Sequence, residues 1–277
     1  MRYIELVCHP QSGHHTSDVL IARLAEIGFE SFSEAEHELL AYIPAPDFNP
    51  EVELSLATPV FSALLKSYEV RHVPDQNWNA VWESEYDPVL VAGCCLVRAP
   101  FHEKPEGIEY DIVIEPKMSF GTAHHETTQH MLRYVLKEEL LNKSLLDMGS
   151  GTAVLAILAA MRGAGPVTAI DNDEWAYNNA VENVAHNKPG AIEVLMGDSK
   201  LLEDRKFDVI LANINRNILL NDMPAYRESL LNKGILIMSG FYEEDLPLIS
   251  AKAAELGLKF VSSATENRWT AARFVAE

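Results

Sequence analysis

The sequence predicts an α/β chain: a Rossmann-like, mostly parallel sheet with a C-terminal antiparallel hairpin, preceded by a small N-terminal α+β (ferredoxin-like) domain. Three observations predict it. From Leu145 onward, short apolar strands alternate with helical stretches. A turn holding Gly149 and Gly151 joins the first of those strands to a helix. The first 76 residues instead follow the order β-α-β-β-α-β. A chain of 277 residues accommodates both parts.

In chain order, Tyr3–Val7 alternates as a strand, with Ile4 and Leu6 on one face. Ser17–Ile27 carries apolar residues at helical spacing and ends where Gly28 can cap it. Phe29–Ser33 and Leu39–Ile43 read as strands, and the Pro-rich segment Pro44–Glu53 fits neither pattern. A helix over Thr58–Ser67, with Pro59 in its first turn, and a strand over Tyr68–Val73 close this part. Residues 77–116 form a linker and lead-in, where Trp78 and Trp82 lie one helical turn apart. Val89–Val97 and Tyr110–Ile114 read as strands, and Gln129–Lys137 as a helix.

The second part, residues 117–277, contributes strands Leu145–Met148, Val167–Ile170, Ile192–Leu195, Val209–Ala212 and Ile235–Ser239. Helices are expected over Ala153–Arg162, Glu174–His186, Met223–Leu231 and Glu243–Leu256. Short apolar strands with helical crossovers mean a parallel sheet covered on both faces. Leu258–Ala264 and Ala271–Val275 flank a turn-like Thr-Glu-Asn-Arg and read as a hairpin.

Composition excludes several classes. With 48% apolar residues, the chain is neither disordered nor collagen-like. No run of about 18 apolar residues exists, so no membrane span is expected. The start reads as a strand without the apolar core of a leader. Cys8, Cys94 and Cys95 form no CxxC and no metal-ligand spacing. A cytoplasmic protein with reduced thiols and no metal is the expectation. The net charge of −19 opposes direct nucleic-acid binding and attracts a basic partner. Residues 1–76 hold 4 Lys+Arg against 12 Asp+Glu, about twice the acidity per residue of the remainder.

The turn Asp147-Met-Gly149-Ser-Gly151 sits at the carboxyl end of the first parallel strand, where open α/β sheets bind ligands. Gly149 suits a tight turn, and Gly151 suits close approach of a ligand to the backbone. Two cofactor classes compete. A dinucleotide site would read GxGxxG with a downstream acid; Asp171 supplies the acid, but position 154 is Val. S-adenosylmethionine has no pyrophosphate and carries a sulfonium and an ammonium. Asp147 would place a carboxylate near that charge, and Asp171 would accept from the ribose hydroxyls. Asp198 is placed to meet an adenine edge, or serves only as a turn residue. Asn213, at the end of the fourth strand, points into the crevice or caps the next helix. Thr127 or Thr128 caps the helix after the polar segment 119–128. Adjacent His124 and His125 diverge, which disfavours a metal site.

Together Phe120-Gly-Thr-x-x-His-x-Thr-Thr128, Asp147-Met-Gly-Ser-Gly151, Ala169-Ile-Asp-x-Asp173 and Ala212-Asn-Ile214 resemble the bacterial ribosomal protein L11 methyltransferase family. Residues 76–82 are similar to that family's linker, and the resemblance spans essentially the whole chain. It implies a class I methyltransferase sheet binding S-adenosylmethionine and an N-terminal domain, residues 1–76, that recognises the substrate. It also implies methylation of lysine side chains and the N-terminal α-amine of a basic large-subunit ribosomal protein. Position by position, cofactor contacts fall on Thr128, Gly149, Asp171 and Asn213, with Phe120, Asp147, Gly151 and Asp198 counted beside them. The chain departs from the family in having Ala123 and Ala153 where glycine is usual, and Ser150 and Thr152 where Cys and Ser are usual. The alanines shift the loops wherever a positive φ is required.

Asn213 is expected to align the incoming amine, and no residue stands out as a general base. An adenine methylase would carry a proline and an aromatic after Asn213; Ile214 and Asn215 stand there instead. The alternatives are an enzyme with the same cofactor acting on another protein, a nucleic-acid base or a small molecule, and a nucleotide-binding module without catalysis.

Overall fold

The structure, a computed structural model, describes residues 3–11, 16–35, 38–72, 86–117 and 119–277. The chain divides into two compact units, Met1–Glu85 and Tyr86–Glu277. Trp78, Trp82 and the 76–82 motif lie outside the described residues.

The first unit is a four-stranded antiparallel sheet ordered β2-β3-β1-β4, from β1 (Tyr3–Pro10), β2 (Ser31–Ala35), β3 (Glu38–Pro44) and β4 (Leu65–His72). Alternation in β1 sends Ile4, Leu6 and Cys8 into a core with Leu20 and Leu24 of helix Thr16–Glu26. The Pro-rich segment resolves into a turn and helix Pro50–Leu56, whose first amides are capped by Asn49. A second short helix, Pro59–Leu64, starts at the proline; β4 then begins at Leu65, earlier than the pattern suggested. Helical spacing continues past Leu64, but the chain there is already pairing with β1.

The second unit opens with a small sheet of β5 (Val89–Val91), β6 (Cys95–Arg98) and β7 (Tyr110–Val113). Its main sheet has seven strands in the order β10-β9-β8-β11-β12-β14-β13. These are β8 (Leu145–Met148), β9 (Val167–Asp171), β10 (Ile192–Met196), β11 (Phe207–Asn213), β12 (Leu230–Tyr242), β13 (Leu258–Glu266) and β14 (Trp269–Ala276). Pairing is parallel from β10 to β12, while β14 runs antiparallel to both neighbours. Strand order reverses between β8 and β11, which opens a crevice at their carboxyl ends.

Period-2 alternation builds two cores, one on each face. Leu145, Ala169, Val209 and Leu211 pack under helices Glu126–Lys137 and Val154–Met161. Leu146, Met148, Ile210 and Ala212 pack under helices Arg216–Ser229 and Leu246–Glu255. The helix before β12 starts at Arg216 rather than Met223. Asn215 caps it through Ile218 N, and Pro224 sits inside it. A proline more often marks a first turn, which is why the sequence pattern points later. At the C-terminal hairpin, Asn267 and Arg268 both take positive φ, 51° and 69°, the signature of a tight type I′ turn.

Helix Glu174–Asn187 stitches the segment after β7 to the sheet. Buried Asn183 accepts Glu115 N–H at 2.9 Å and donates to the Thr152 carbonyl at 3.0 Å. Asn183→Ala leaves both groups unmatched. The expected loss is about 2–4 kcal/mol of stability, read as a lower denaturant midpoint at unchanged slope.

Candidate active site

The crevice has a volume of about 440 Å³, within the range of small-ligand sites. Its floor is the glycine turn after β8. Gly149 (φ 68°) and Gly151 (φ 53°) occupy left-handed backbone. A Cβ at Gly149 would lie 2.2 Å from Ile214 Cγ2, and one at Gly151 would lie 2.2 Å from the Phe120 carbonyl oxygen. These glycines therefore make room for neighbouring protein, not for a ligand. Gly151 in particular lets segment 119–122 fold onto the turn, where Thr152 N donates to Phe120 O (2.9 Å) and Thr152 Oγ1 to Gly121 O (2.7 Å).

The amides of the turn are fully engaged. Gly149 N and Ser150 N both donate to Ile170 O, Gly151 N to Asp171 Oδ2 at 2.8 Å, and Ala153 N to Ser150 O. With Thr152 N on Phe120 O, five consecutive N–H groups have partners within the protein. The two alanines that replace usual glycines both adopt left-handed backbone, Ala123 at φ 66° and Ala153 at φ 62°. Positive φ is thus required there, and alanine meets it at some steric cost.

Asp171 ends β9 at the crevice; its second oxygen accepts Asp173 N–H at 3.1 Å. Asp173 lines the site too, and caps the following helix through Ala176 N. Asn213 enters from β11. Its Nδ2 donates to Thr128 Oγ1 at 3.4 Å, and its Oδ1 is buried without a partner. Asn215, two residues on, is the cap that Asn213 might have been.

Thr128 is buried behind Asn213 and does not itself line the crevice, whereas Thr127 does. Neither caps the helix. His125 is the N-cap, accepting Thr127 N–H at its Nδ1 (3.2 Å). Phe120 lines the mouth and is half exposed.

Two expected residues are elsewhere. Asp147 shares its strand face with Leu145, so it points into the helix-covered core, 1% exposed. Its Oδ2 accepts Ala156 N–H at 3.1 Å. Burial pushes its carboxyl up to about 8, against the Ala156 hydrogen bond and aided by the charge of Asp171. Asp198 also stays outside the crevice, capping a short 3₁₀ turn through Lys200 N (2.9 Å) beside the Lys200 ammonium. Hydrogen bonds from Lys200 hold its carboxyl below the usual range.

The Asp147 shift has a measurable sign. Its folded value lies above the unfolded one, so the native state binds more protons between about pH 4 and 8 and loses stability as pH rises. Asp147→Asn removes that titration. The ligand-free variant should gain stability over wild type as pH goes from 5 to 8, read from thermal midpoints; a pH-independent difference refutes the shift.

Sequence reasoning missed one wall. Phe120, His125, Trp269 and Tyr242 form a chain of rings with centroids 5.3, 4.8 and 4.2 Å apart. Phe120, His125 and Trp269 line the crevice, and the guanidinium of Arg268 lies 5.4 Å over Tyr242. Trp269 is the first residue of β14, and only the strand order β12-β14-β13 brings it there. Among the described residues the lining contains Asp171 and Asp173 but no Lys or Arg.

Residues 12–277 match the family model described as ribosomal protein L11 methyltransferase. Curated proteins of that name from Phocaeicola vulgatus (44% identity, covering 99% of both chains) and Porphyromonas gingivalis (47%, covering 94% of this chain and 91% of the relative) are similar. The crystal structure of a ribosomal protein L11 methylase from Lactobacillus delbrueckii subsp. bulgaricus superposes with a TM-score of 0.65 at 26% identity. It covers 69% of this chain and all of that one.

Proposed function

This chain belongs to the ribosomal protein L11 methyltransferase family, and we propose that its crevice holds S-adenosylmethionine for transfer of methyl groups to amines of ribosomal protein L11. The acceptors are lysine side chains and the N-terminal α-amine. The observation that carries the cofactor choice is the engaged turn. A pyrophosphate needs free main-chain N–H groups, and the five amides of residues 149–153 have none to give. Two carboxylates with no facing Lys or Arg favour a cationic ligand over an anionic one. The unpartnered Asn213 Oδ1 fits a ligand that brings an N–H.

Asp171 holds the ribose hydroxyls in this reading, and the turn at Gly149 and Gly151 backs the nucleoside. When bound, the cofactor supplies an electrophilic methyl on a sulfonium that leaves as a neutral thioether, so no leaving-group acid is required. The protein's task is positioning and exclusion of water. Asn213 Oδ1 accepts an N–H of the amine and aims its lone pair, and Thr128 keeps the amide turned correctly. The ring wall from Phe120 to Trp269 covers the amine with apolar surface, which disfavours an ammonium relative to water.

Among the described residues that line the crevice, none is suited to take the amine's proton. His125 Nδ1 already accepts Thr127 N–H, so the neutral ring carries its proton on Nε2. Carboxylates with reference pKa of about 3.9 are weak bases toward an ammonium of about 10.4. The amine therefore enters already neutral, which at pH 7 costs about 4.6 kcal/mol. For a lysine acceptor, kcat/KM should rise about tenfold per pH unit from pH 6.5 to 8.5, whereas the α-amine, with a reference pKa of about 7.7–8.0, levels off near pH 8 by its own titration. A plateau at neutral pH would mean a base in the site.

We assign recognition of the basic substrate to residues 1–76, on their excess of carboxylates. KM for the protein substrate should rise with salt while cofactor affinity stays level. The reaction itself is tested with tritium-methyl S-adenosylmethionine and purified ribosomal protein L11. Label is expected in L11 amines. Cofactor binding without label in L11 defeats the substrate assignment; binding of NAD in place of S-adenosylmethionine defeats the cofactor assignment.

A further inference from the structure

A second cavity of about 310 Å³ lies between helix Glu126–Lys137 and the β13–β14 hairpin, and shares no lining residue with the crevice. Three cationic residues, Arg133, Lys137 and Arg273, line it with, among the described residues, one carboxylate, Glu138. On a chain of net charge −19, such a concentration runs against the surrounding field. Glu138 is occupied by a two-point pair with Arg273 (2.5 and 3.1 Å), which leaves Lys137 without an ion-pair partner among the described residues. Arg133 reaches Glu266 at 3.1 Å, outside the lining. The hydroxyls of Tyr134 and Ser262, hydrogen-bonded to each other at 3.3 Å, leave one O–H as a neutral donor.

The pocket also holds an unmatched buried group. His130 is 4% exposed, and neither ring nitrogen has a partner at hydrogen-bond geometry, although the main chain of Trp269 is close by. Buried imidazoles rarely go unmatched on both sides. Burial, reinforced by Arg133, holds this ring below the ordinary histidine range, against an interaction with the Trp269 main chain, so near neutral pH the uncharged ring has a single N–H, for which that main chain competes.

We propose that this pocket binds a phosphoryl dianion, carried on a small monoester or as free phosphate, between Lys137, Arg133, Arg273 and the His130 ring. A phosphoryl group brings close to two negative charges and three acceptor oxygens. That matches several cations and neutral donors better than a single carboxylate does. The volume leaves room for the remainder of a small ester.

Calorimetric titration of the full chain with a nucleoside 5′-monophosphate, inorganic phosphate and acetate tests this. Both phosphate probes should bind saturably and weaken as salt rises, with acetate at least about tenfold weaker. A monophosphate tighter than phosphate supports an ester as the natural occupant, and equal affinities support free phosphate. Lys137→Gln, at an exposed position, and His130→Phe should each weaken phosphate binding about tenfold or more, with S-adenosylmethionine affinity unchanged. Absence of saturable phosphate binding, acetate binding as tight as phosphate, or unaltered affinity in Lys137→Gln overturns the proposal. The surface variant keeps the test valid if His130→Phe folds poorly.

Discussion

Asp171→Ala is expected to weaken S-adenosylmethionine binding by about 10²–10⁴-fold while the fold survives. Each hydrogen bond to a charged group contributes about 1.5–3 kcal/mol. Two such bonds to vicinal hydroxyls amount to about 3–6 kcal/mol, which sets the range in Kd. The carboxylate suits the task because its two oxygens are fixed from below, by Gly151 N–H at 2.8 Å and Asp173 N–H at 3.1 Å. Those bonds aim the remaining lone pairs into the crevice without occupying them. Their loss frees two amides near solvent, so stability should fall little. Asp171→Asn keeps one acceptor and loses the charge, and should lie between alanine and wild type. Calorimetry on folded variants decides. A Kd for Asp171→Ala within about threefold of wild type would detach Asp171 from the ligand.

Asp171 was legible in the sequence because its position depends on local rules. A strand ends, the chain turns, and an acidic residue stands about 20 positions beyond the glycine turn. The sheet was legible for the same reason, since apolar runs of strand length separated by helical periods admit few topologies. Asp147 misled because proximity to the glycine turn outweighed strand parity. Two residues after Leu145 it must face the same helix-covered side, and alternation alone could have placed it in the core. Gly151 misled in its purpose: the space it opens is filled by the Phe120 carbonyl, a contact with a segment about 30 residues earlier. Trp269 carried no local signal at all. It reaches the crevice because β14 inserts between β12 and β13, a pairing settled over long range. The caps at His125 and Asn215 show a subtler competition. Thr128 and Asn213 have capping side chains, yet their contact with each other draws both inward and leaves the capping to a neighbour, while the Thr127 hydroxyl pairs with the capping ring of His125.

That inward draw motivates the prediction for Asn213. Asn213→Ala should lower kcat by about 10²–10³-fold at saturating cofactor and protein substrate, the range seen when one preorganised polar group is removed from an active site. The amide sits at the strand end where the sheet order reverses, with Nδ2 tied to Thr128 Oγ1 and Oδ1 buried and unmatched. An acceptor left unmatched in a protein interior is destabilising, so its retention beside the crevice points to a donor that arrives with the reactants. Thr128→Val separates aiming from accepting. It removes the tether but keeps the volume and the Asn213 oxygen, so kcat should fall only about tenfold with little change in KM. If Asn213→Ala instead turns over normally and only cofactor affinity drops, the amide serves the nucleoside. The alignment of the amine would then rest on the aromatic wall formed by Phe120 and Trp269.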